Sequence, residues 1–227
     1  MRIAELFDSI QGEGLYTGER SLFVRTTGCN LRCWFCDTPY TSWQPEGFLL
    51  PWQDVLTKAH ECGVKHVVLT GGEPLLQPDI VPLSQALREA GHIVTIETAG
   101  TVYRPVAADL MSISPKLSNS APDETNPRWH ARHLRDQFRP DVLRRLIAEF
   151  PYQLKFVIDT RADLDEVRRY LDELGTIPGE HVWLMPQGVT QDTLAAKAEW
   201  LMPAAERLGY RFCPRHHIAL FGNRRGT

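Results

Sequence analysis

Apolar, β-branched runs alternating with amphipathic stretches predict an α/β fold, a partial (β/α) barrel of about six parallel strands. Two further observations support it. The amphipathic stretches stop at glycines such as Gly63 and Gly91 before the next apolar run, so helices act as crossovers between parallel strands. No Pro/Gly/Ser-rich linker, internal repeat or low-complexity tract divides the 227 residues, so the chain reads as one domain over 1–227.

The elements follow in order. Ser21 to Thr26 (SLFVRT) is a strand that leads into a cysteine-bearing loop. Trp52 to Glu61 has helical character and ends at Gly63. Lys65 to Thr70 (KHVVLT) is a strand that runs into Gly71-Gly72. Ile80 to Ala90 is a helix stopped by Gly91, and His92 to Ile96 (HIVTI) is the next strand. Met111 to Ser114 is a short apolar strand before Pro115. Tyr152 to Asp159 (YQLKFVID) follows, then a helix from Ala162 to Leu174 with Thr160 as its cap. A strand over His181 to Met185, a long helix over Asp192 to Leu208 and a last strand over Tyr210 to Cys213 complete the series.

The alternation is interrupted between Ser118 and Phe150. Ser118 to Pro127 holds two prolines and several turn formers and reads as a loop. Arg128 to Arg145 carries six arginines against two aspartates, with a helical pattern after Pro140. A solvated helix face is the first reading of such a run, and an anionic partner or subunit contact the second. His130 and His133, within it, read as surface residues. The segment 118–150 as a whole reads as an arginine-rich insertion.

A hydrophobic content of 43%, a charged content of 23% and a formal net charge of −3 fit a globular protein and give no reason to expect nucleic-acid binding. Met1-Arg2-Ile3-Ala4-Glu5-Leu6 lacks the apolar core of a signal peptide, and no apolar run reaches membrane-spanning length. A cytoplasmic protein with no membrane partner is therefore expected.

Three of the five cysteines form Cys29-x3-Cys33-x2-Cys36 on a loop just after a strand. A structural zinc site normally closes with four protein ligands. A [4Fe–4S] cluster usually takes four cysteines, so three leave one iron open to another ligand. Cys62 reads as a small buried hydrophobe and Cys213 as a strand residue; neither is expected to be a ligand.

Parallel α/β folds carry their chemistry at the carboxyl ends of strands, where five unusual segments fall. These are the cysteine loop, Thr70-Gly71-Gly72-Glu73-Pro74, Glu97-Thr98-Ala99-Gly100, Ser114-Pro115-Lys116 and Met185-Pro186-Gln187-Gly188. Gly71-Gly72 reads either as a tight turn or as a place where backbone approaches a ligand. Gln11-Gly12-Glu13-Gly14 has the same two readings, the ligand being a flat heterocycle with donor and acceptor edges. Arg25 is a surface charge or a bidentate partner for a carboxylate. Thr38 is a capping hydroxyl or a metal ligand.

The C-x3-C-x2-C spacing, with Phe35 before its last cysteine and GGEP downstream, resembles the radical S-adenosylmethionine (SAM) superfamily. Phe7 to Gly14 (FDSIQGEG), Arg25, Gly28 to Leu31, Cys36-Asp37-Thr38, Thr70 to Pro74 and Ser114-Pro115-Lys116 are similar to the 7-carboxy-7-deazaguanine synthase family, over Phe7 to about Phe221. The resemblance implies a radical SAM fold and a ring-contracting lyase. Such a lyase converts 6-carboxy-5,6,7,8-tetrahydropterin to 7-carboxy-7-deazaguanine and ammonia, toward queuosine and other 7-deazapurines. It implies a [4Fe–4S] cluster on Cys29, Cys33 and Cys36. SAM would lie along Phe35, Cys36, Asp37, Gly72, Glu97, Ser114, Pro115, Lys116 and Gln187, with negative charge from Glu73 near its amine. The pterin would be held by Ile10, Gln11, Gly12, Arg25, Thr70 and His216.

The same resemblance implies Mg²⁺ on Thr38, completed by water and substrate oxygens. It further implies an electron donor such as flavodoxin or ferredoxin, and a homodimer. Two departures stand out. Gly222 to Thr227 (GNRRGT) continues past the point where a terminal carboxylate reaches substrate in relatives, and the 118–150 insertion exceeds a minimal fold. A radical SAM activase that installs a glycyl radical on a partner protein would share the cluster loop and GGEP. A zinc- or cluster-bearing binding module would share only the cysteines.

Overall fold

A computed structural model describes residues 1–227. Its chain begins with β1, Arg2–Ile10, antiparallel to β2, Arg20–Thr26. After the cysteine loop come the short helix α1, Pro39–Ser42, and β3, Phe48–Leu49, which pairs antiparallel with β1. The βα series then runs α2, Trp52–Cys62; β4, His66–Gly71; α3, Ile80–Glu89; β5, Ile93–Thr98; and β6, Leu110–Ile113. Two helices follow, α4, Pro127–Asp136, and α5, Pro140–Glu149, before β7, Tyr152–Ile158. The remainder is α6, Asp163–Leu174; β8, Val182–Pro186; α7, Gln191–Leu208; β9, Arg211–Phe212; and α8, His216–Phe221.

One open sheet results, in the order β3-β1-β2-β4-β5-β6-β7-β8-β9. Strands from β2 onward pair in parallel, giving seven parallel strands where about six were expected. The antiparallel β1 was not anticipated. Its RIAELFDSI sequence places Glu5 and Asp8 among the apolar residues, which obscures the strand period.

Alternation along the strands separates two faces. Leu22, Val24, Val67, Leu69, Val94, Ile96, Met111, Ile113, Leu154 and Phe156 turn outward into the apolar core. The helices meet them with Val55 and Ala59 of α2, Leu83 and Leu87 of α3, Leu143 and Leu146 of α5, and Val167 of α6. The inward face is polar. Register aligns Glu5 with Arg25, Arg25 with Thr70, Glu97 with Ser112, and Ser112 with Gln153, so a row of polar side chains crosses the sheet at one level.

The 118–150 segment is only partly an insertion. β6 and β7 are parallel neighbours, and such a pair needs a crossover of a dozen or more residues. α5 is that crossover, with Val142, Leu143 and Leu146 buried. The additional part is the turn at Ser118–Ser120 and α4. All six arginines of the run are exposed, as the solvated-face reading expects. Thr160 does not cap α6; the carboxylate of Asp163 instead accepts the Asp159 and Thr160 N–H groups at 2.7 and 2.8 Å.

His133 corrects the surface reading. It is fully buried, while His130 is half-buried with Nδ1 2.7 Å from Pro122 O. Burial, followed by the positive charges of Lys116 and His130, depresses the His133 pKa from 6.5 to about 4. A depressed histidine stabilises the fold while neutral, because the unfolded chain binds the proton first. That stability is present above pH 6.5 and is lost as pH falls toward 4. For the apoprotein, the drop in urea-unfolding free energy between pH 7.5 and pH 4.5 should exceed that of His133→Asn by roughly 2–3 kcal/mol. Equal drops in the two proteins would refute this assignment.

Candidate active site

The carboxyl ends of the parallel strands surround a cavity of about 530 Å³. β2 contributes Arg25, β4 Thr70 and Gly71, β5 Glu97 and Thr98, β7 Lys155 and Val157, and β8 Met185 and Pro186. Of the residues the sequence singled out, Cys29, Cys33, Phe35, Cys36, Asp37 and Thr38 line one wall. Gly72, Ser114, Lys116 and Gln187 lie along the rim, and Ile10, Gln11, Gly12, Arg25, Thr70 and Glu97 complete the lining.

Pro115 and His216 do not line it. Pro115 is buried beneath the rim. His216 is exposed because its backbone N–H is tied to Gly12 O at 3.0 Å, which turns the next residue, His217, inward. The His217 ring packs where a Gly12 side chain would lie, since a Cβ there would meet its Nδ1 at 2.3 Å. Gly12 is thus required by a close internal approach as well as by its place in the lining. Burial lowers the His217 pKa, with Glu13 opposing.

Glu73 does not itself line the cavity but lies directly behind two lining residues, Thr98 and Ala99. Fully buried, its carboxylate accepts Leu75 N–H at 3.1 Å, Ala99 N–H at 2.9 Å and the Thr98 hydroxyl at 2.8 Å. Burial raises its pKa against these donors. GGEP therefore seats the cysteine loop: a Cβ on Gly72 would meet Gly28 O at 2.3 Å, and Glu73 N–H donates to that oxygen at 2.8 Å.

The three thiols lie in the cavity wall, Cys33 buried and the other two partly so. No three ligating side chains converge on a point that one ion could occupy. A zinc about 2.3 Å from each sulfur would need that convergence, whereas a four-iron cluster meets each thiolate through a different iron. Three thiols in the lining, with no fourth cysteine beside them, are the donor set of a cluster with one iron left open. Burial pushes the thiols up, to about 12 for Cys29 and about 11 for Cys33, so both must lose protons when metal binds. Thr38 sits at the N-cap of α1 without making a side-chain cap bond; its hydroxyl is 3.8 Å from Cys36 Sγ.

The cavity also has a charged floor, of which the sequence reading singled out Glu13, Asp37 and Glu97 but missed Lys155 and Arg215. Lys155 Nζ is 2.9 Å from Glu13 and 3.5 Å from Glu97. Glu97 also accepts the Gln11 amide at 3.2 Å and the Thr70 hydroxyl at 3.1 Å. Arg215 joins Glu13 at 3.1 Å to Asp37 at 2.5 Å. Burial alone would raise Glu13, but Lys155, Arg215 and His217 hold it well below the carboxylate range. Burial would lower Lys155, but Glu13 and Glu97 raise it. Cys213 contributes by accepting Gly14 N–H at 3.3 Å. A lysine within YQLKFVI was the available signal; Glu13 and Arg215 meet only in the folded chain.

Arg25 Nε binds Glu5 at 2.8 Å, leaving both terminal nitrogens without a protein partner. Glu5 also accepts the Tyr40 hydroxyl at 2.6 Å. Tyr40 lies 3.5 Å beneath Arg225, which pairs with Glu46 at 2.7 Å. Gly222 to Thr227, the segment that departs from the family pattern, thereby lines the cavity.

Residues 23–146 match the Radical SAM superfamily. The chain is 49% identical to 7-carboxy-7-deazaguanine synthase of Rhodopirellula baltica, covering 99% of this chain and 88% of that protein. It is 44% identical to the Halobacterium salinarum protein of the same name, covering 97% and 90%. The crystal structure of QueE from Escherichia coli superposes with a TM-score of 0.69 at 23% identity, covering 93% and 92%, a likeness of fold. Three thiols, a glycine-seated loop and near-full-length identity agree: the chain belongs to the 7-carboxy-7-deazaguanine synthase family of the radical SAM superfamily.

Proposed function

We propose that the chain is a radical SAM lyase that converts 6-carboxy-5,6,7,8-tetrahydropterin to 7-carboxy-7-deazaguanine and ammonia in 7-deazapurine and queuosine biosynthesis. The observation that carries this reading is the meeting, in one cavity, of the three-thiol wall with an arginine and a row of donors and acceptors. A volume of about 530 Å³ suits small molecules. It does not favour the activase reading, which needs an open groove for a peptide loop.

When bound and reduced, the cluster would supply the one electron that cleaves the S–C5′ bond of SAM, giving methionine and a hydrogen-abstracting 5′-deoxyadenosyl radical. Cys29, Cys33 and Cys36 hold the cluster; Phe35, Asp37, Gly72, Ser114, Lys116 and Gln187 form the SAM wall. Lys116 Nζ fixes Ser114 through Oγ and the carbonyl, both at 2.7 Å, and Lys197 fixes Gln187 at 2.8 and 2.9 Å. Arg25 takes the substrate carboxylate on its free nitrogens. The N–H edge of the heterocycle faces Glu97, which its bonds to Gln11 and Thr70 group with the substrate and not with SAM. Arg25 and Glu97 lie two strands apart, roughly 10 Å, comparable to a bicyclic ring bearing a carboxylate. His217 closes the side where His216 was expected.

Thr38, whose hydroxyl makes only long contacts to Cys36 Sγ at 3.8 Å and Thr41 Oγ1 at 3.5 Å, is the Mg²⁺ ligand of this reading; water and the substrate carboxylate would complete the shell. A flavodoxin or ferredoxin donor, a homodimer and one catalytic domain over 1–227 are the further parts, supported by the family resemblance. No helix is long and apolar enough to cross a membrane.

Anaerobic reconstitution with dithionite, SAM, Mg²⁺ and 6-carboxytetrahydropterin should yield 7-carboxy-7-deazaguanine by mass spectrometry, and Cys33→Ala should yield none. Deoxyadenosine without the deazapurine would discard the substrate assignment. Arg25→Ala should lower kcat/KM about 100-fold through loss of a charge-assisted pair; an unchanged value would remove Arg25 from the substrate site. Thr38→Val should abolish the stimulation by added Mg²⁺ while leaving iron content at the wild-type level. Retained stimulation would place the metal elsewhere.

A further inference from the structure

The cysteine loop is gripped from outside the cavity by the segment that precedes α5. The fully buried His133 of α4 has Nδ1 3.1 Å from Arg32 N and Nε2 2.8 Å from Ser120 Oγ. A backbone N–H can only donate, so Nδ1 is the acceptor and the proton resides on Nε2. Ser120 Oγ accepts that proton's hydrogen bond and donates its own hydrogen to Leu117 O at 2.6 Å. On the other side of Cys33, Trp34 N–H donates to Ser120 O at 3.2 Å and the Trp34 indole N–H to Asn119 O at 2.8 Å. Both neighbours of Cys33 are therefore tied to the same turn and helix.

The consequence lies in where backbone N–H groups point. Hydrogen bonds to cluster sulfurs and solvent access set the reduction potential of an iron–sulfur site. Leu31 N–H already points at Cys29 Sγ, 3.4 Å away. Arg32 N–H is held off by His133. An apolar side chain of similar size would fill the same hole without providing an acceptor, so packing alone gives no reason for this ring and tautomer.

We infer that His133 is a positioning residue for the cluster: by accepting Arg32 N–H it fixes the loop around Cys33, and so how firmly the cluster is held and at what potential it is reduced. This rests on the reading of Cys29, Cys33 and Cys36 as cluster ligands.

The test compares anaerobically reconstituted wild type, His133→Asn and His133→Gln. The asparagine amide can take the place of Nδ1 and accept Arg32 N–H. The longer glutamine reaches toward Ser120 and leaves Arg32 N–H without an acceptor. Iron release to a chelator and the midpoint potential by EPR-monitored titration are measured, with urea unfolding of each apoprotein alongside. His133→Gln should release iron about tenfold faster and be reduced at a more positive potential, and His133→Asn should stay close to wild type in both.

Should His133→Gln fail to fold, His133→Leu, which fills the hole but offers Arg32 N–H no acceptor, should show the faster release. Variants that lose apoprotein stability yet keep wild-type iron retention and potential would reduce His133 to a packing residue and overturn the inference. Equal cluster loss in both His133 variants would overturn the acceptor role. Wild-type protein that binds zinc but no iron and sulfide would instead fail the cluster reading itself, and the inference with it.

Discussion

Lys155 dictates the floor of the cavity. It sits in mid-β7 with 2% exposure, turned inward by the strand alternation that sends Leu154 and Phe156 into the core. An ammonium so placed is costly unless it is paired. Its partners come from distant segments: Glu13 before β2 and Glu97 on β5. Glu13 then holds Arg215, and Arg215 holds Asp37 beside the last cysteine. One buried cation thus ties together the QGEG segment, the middle of the sheet, the start of α8 and the cysteine loop. Two cations, Lys155 and Arg215, face three carboxylates, Glu13, Glu97 and Asp37. A ligand edge rich in N–H groups is favoured over that floor, and a ligand carboxylate is directed away from it toward Arg25.

The cysteine loop has little structure of its own. Within Cys29 to Cys36 the bonds are Leu31 N–H to Cys29 Sγ, Cys36 N–H to Cys33 O and the return of the Arg32 side chain to Cys29 O and Leu31 O. Its shape is imposed from two sides. Gly72 and Glu73 seat Gly28 from within the barrel, and the Ser118–Ser120 turn with His133 holds Arg32 and Trp34 from without. Together the two contacts set where the three thiols stand in the cavity wall. Burial keeps two of them protonated, so any metal they take up must displace those protons.

The parts that were legible in sequence depend on local pattern. KHVVLT and YQLKFVID read as strands because β-branched and apolar residues dominate them. Gly63 ends α2 as expected, in a left-handed conformation. The cysteine spacing and GGEP point in sequence to the wall of the cavity where the three thiols stand. What failed to show depends on partners far apart in sequence. β1 carries inward-facing Glu5, whose reason is Arg25 on the next strand. Whether His216 or His217 faces inward is decided by one backbone bond to Gly12. α5 passed for part of an insertion because its need arises from the parallel neighbours β6 and β7, not from its own composition.

The floor and the mouth of the site are held by forces of different size. Arg25 and Glu5 are 18% and 13% exposed, and burial, then the bond to Glu5, raises the Tyr40 hydroxyl to about 12, so it remains a donor. That chain of contacts is well shielded. Its outer link is not: Arg225 and Glu46 are 53% and 59% exposed, so water and salt screen the pair. Among the ion pairs of the site, none of those made by Lys155 or Arg215 involves the Gly222–Thr227 segment. The contacts at the mouth are thus the solvent-screened ones, while Arg25, Glu5 and the carboxylates of the floor are shielded from water.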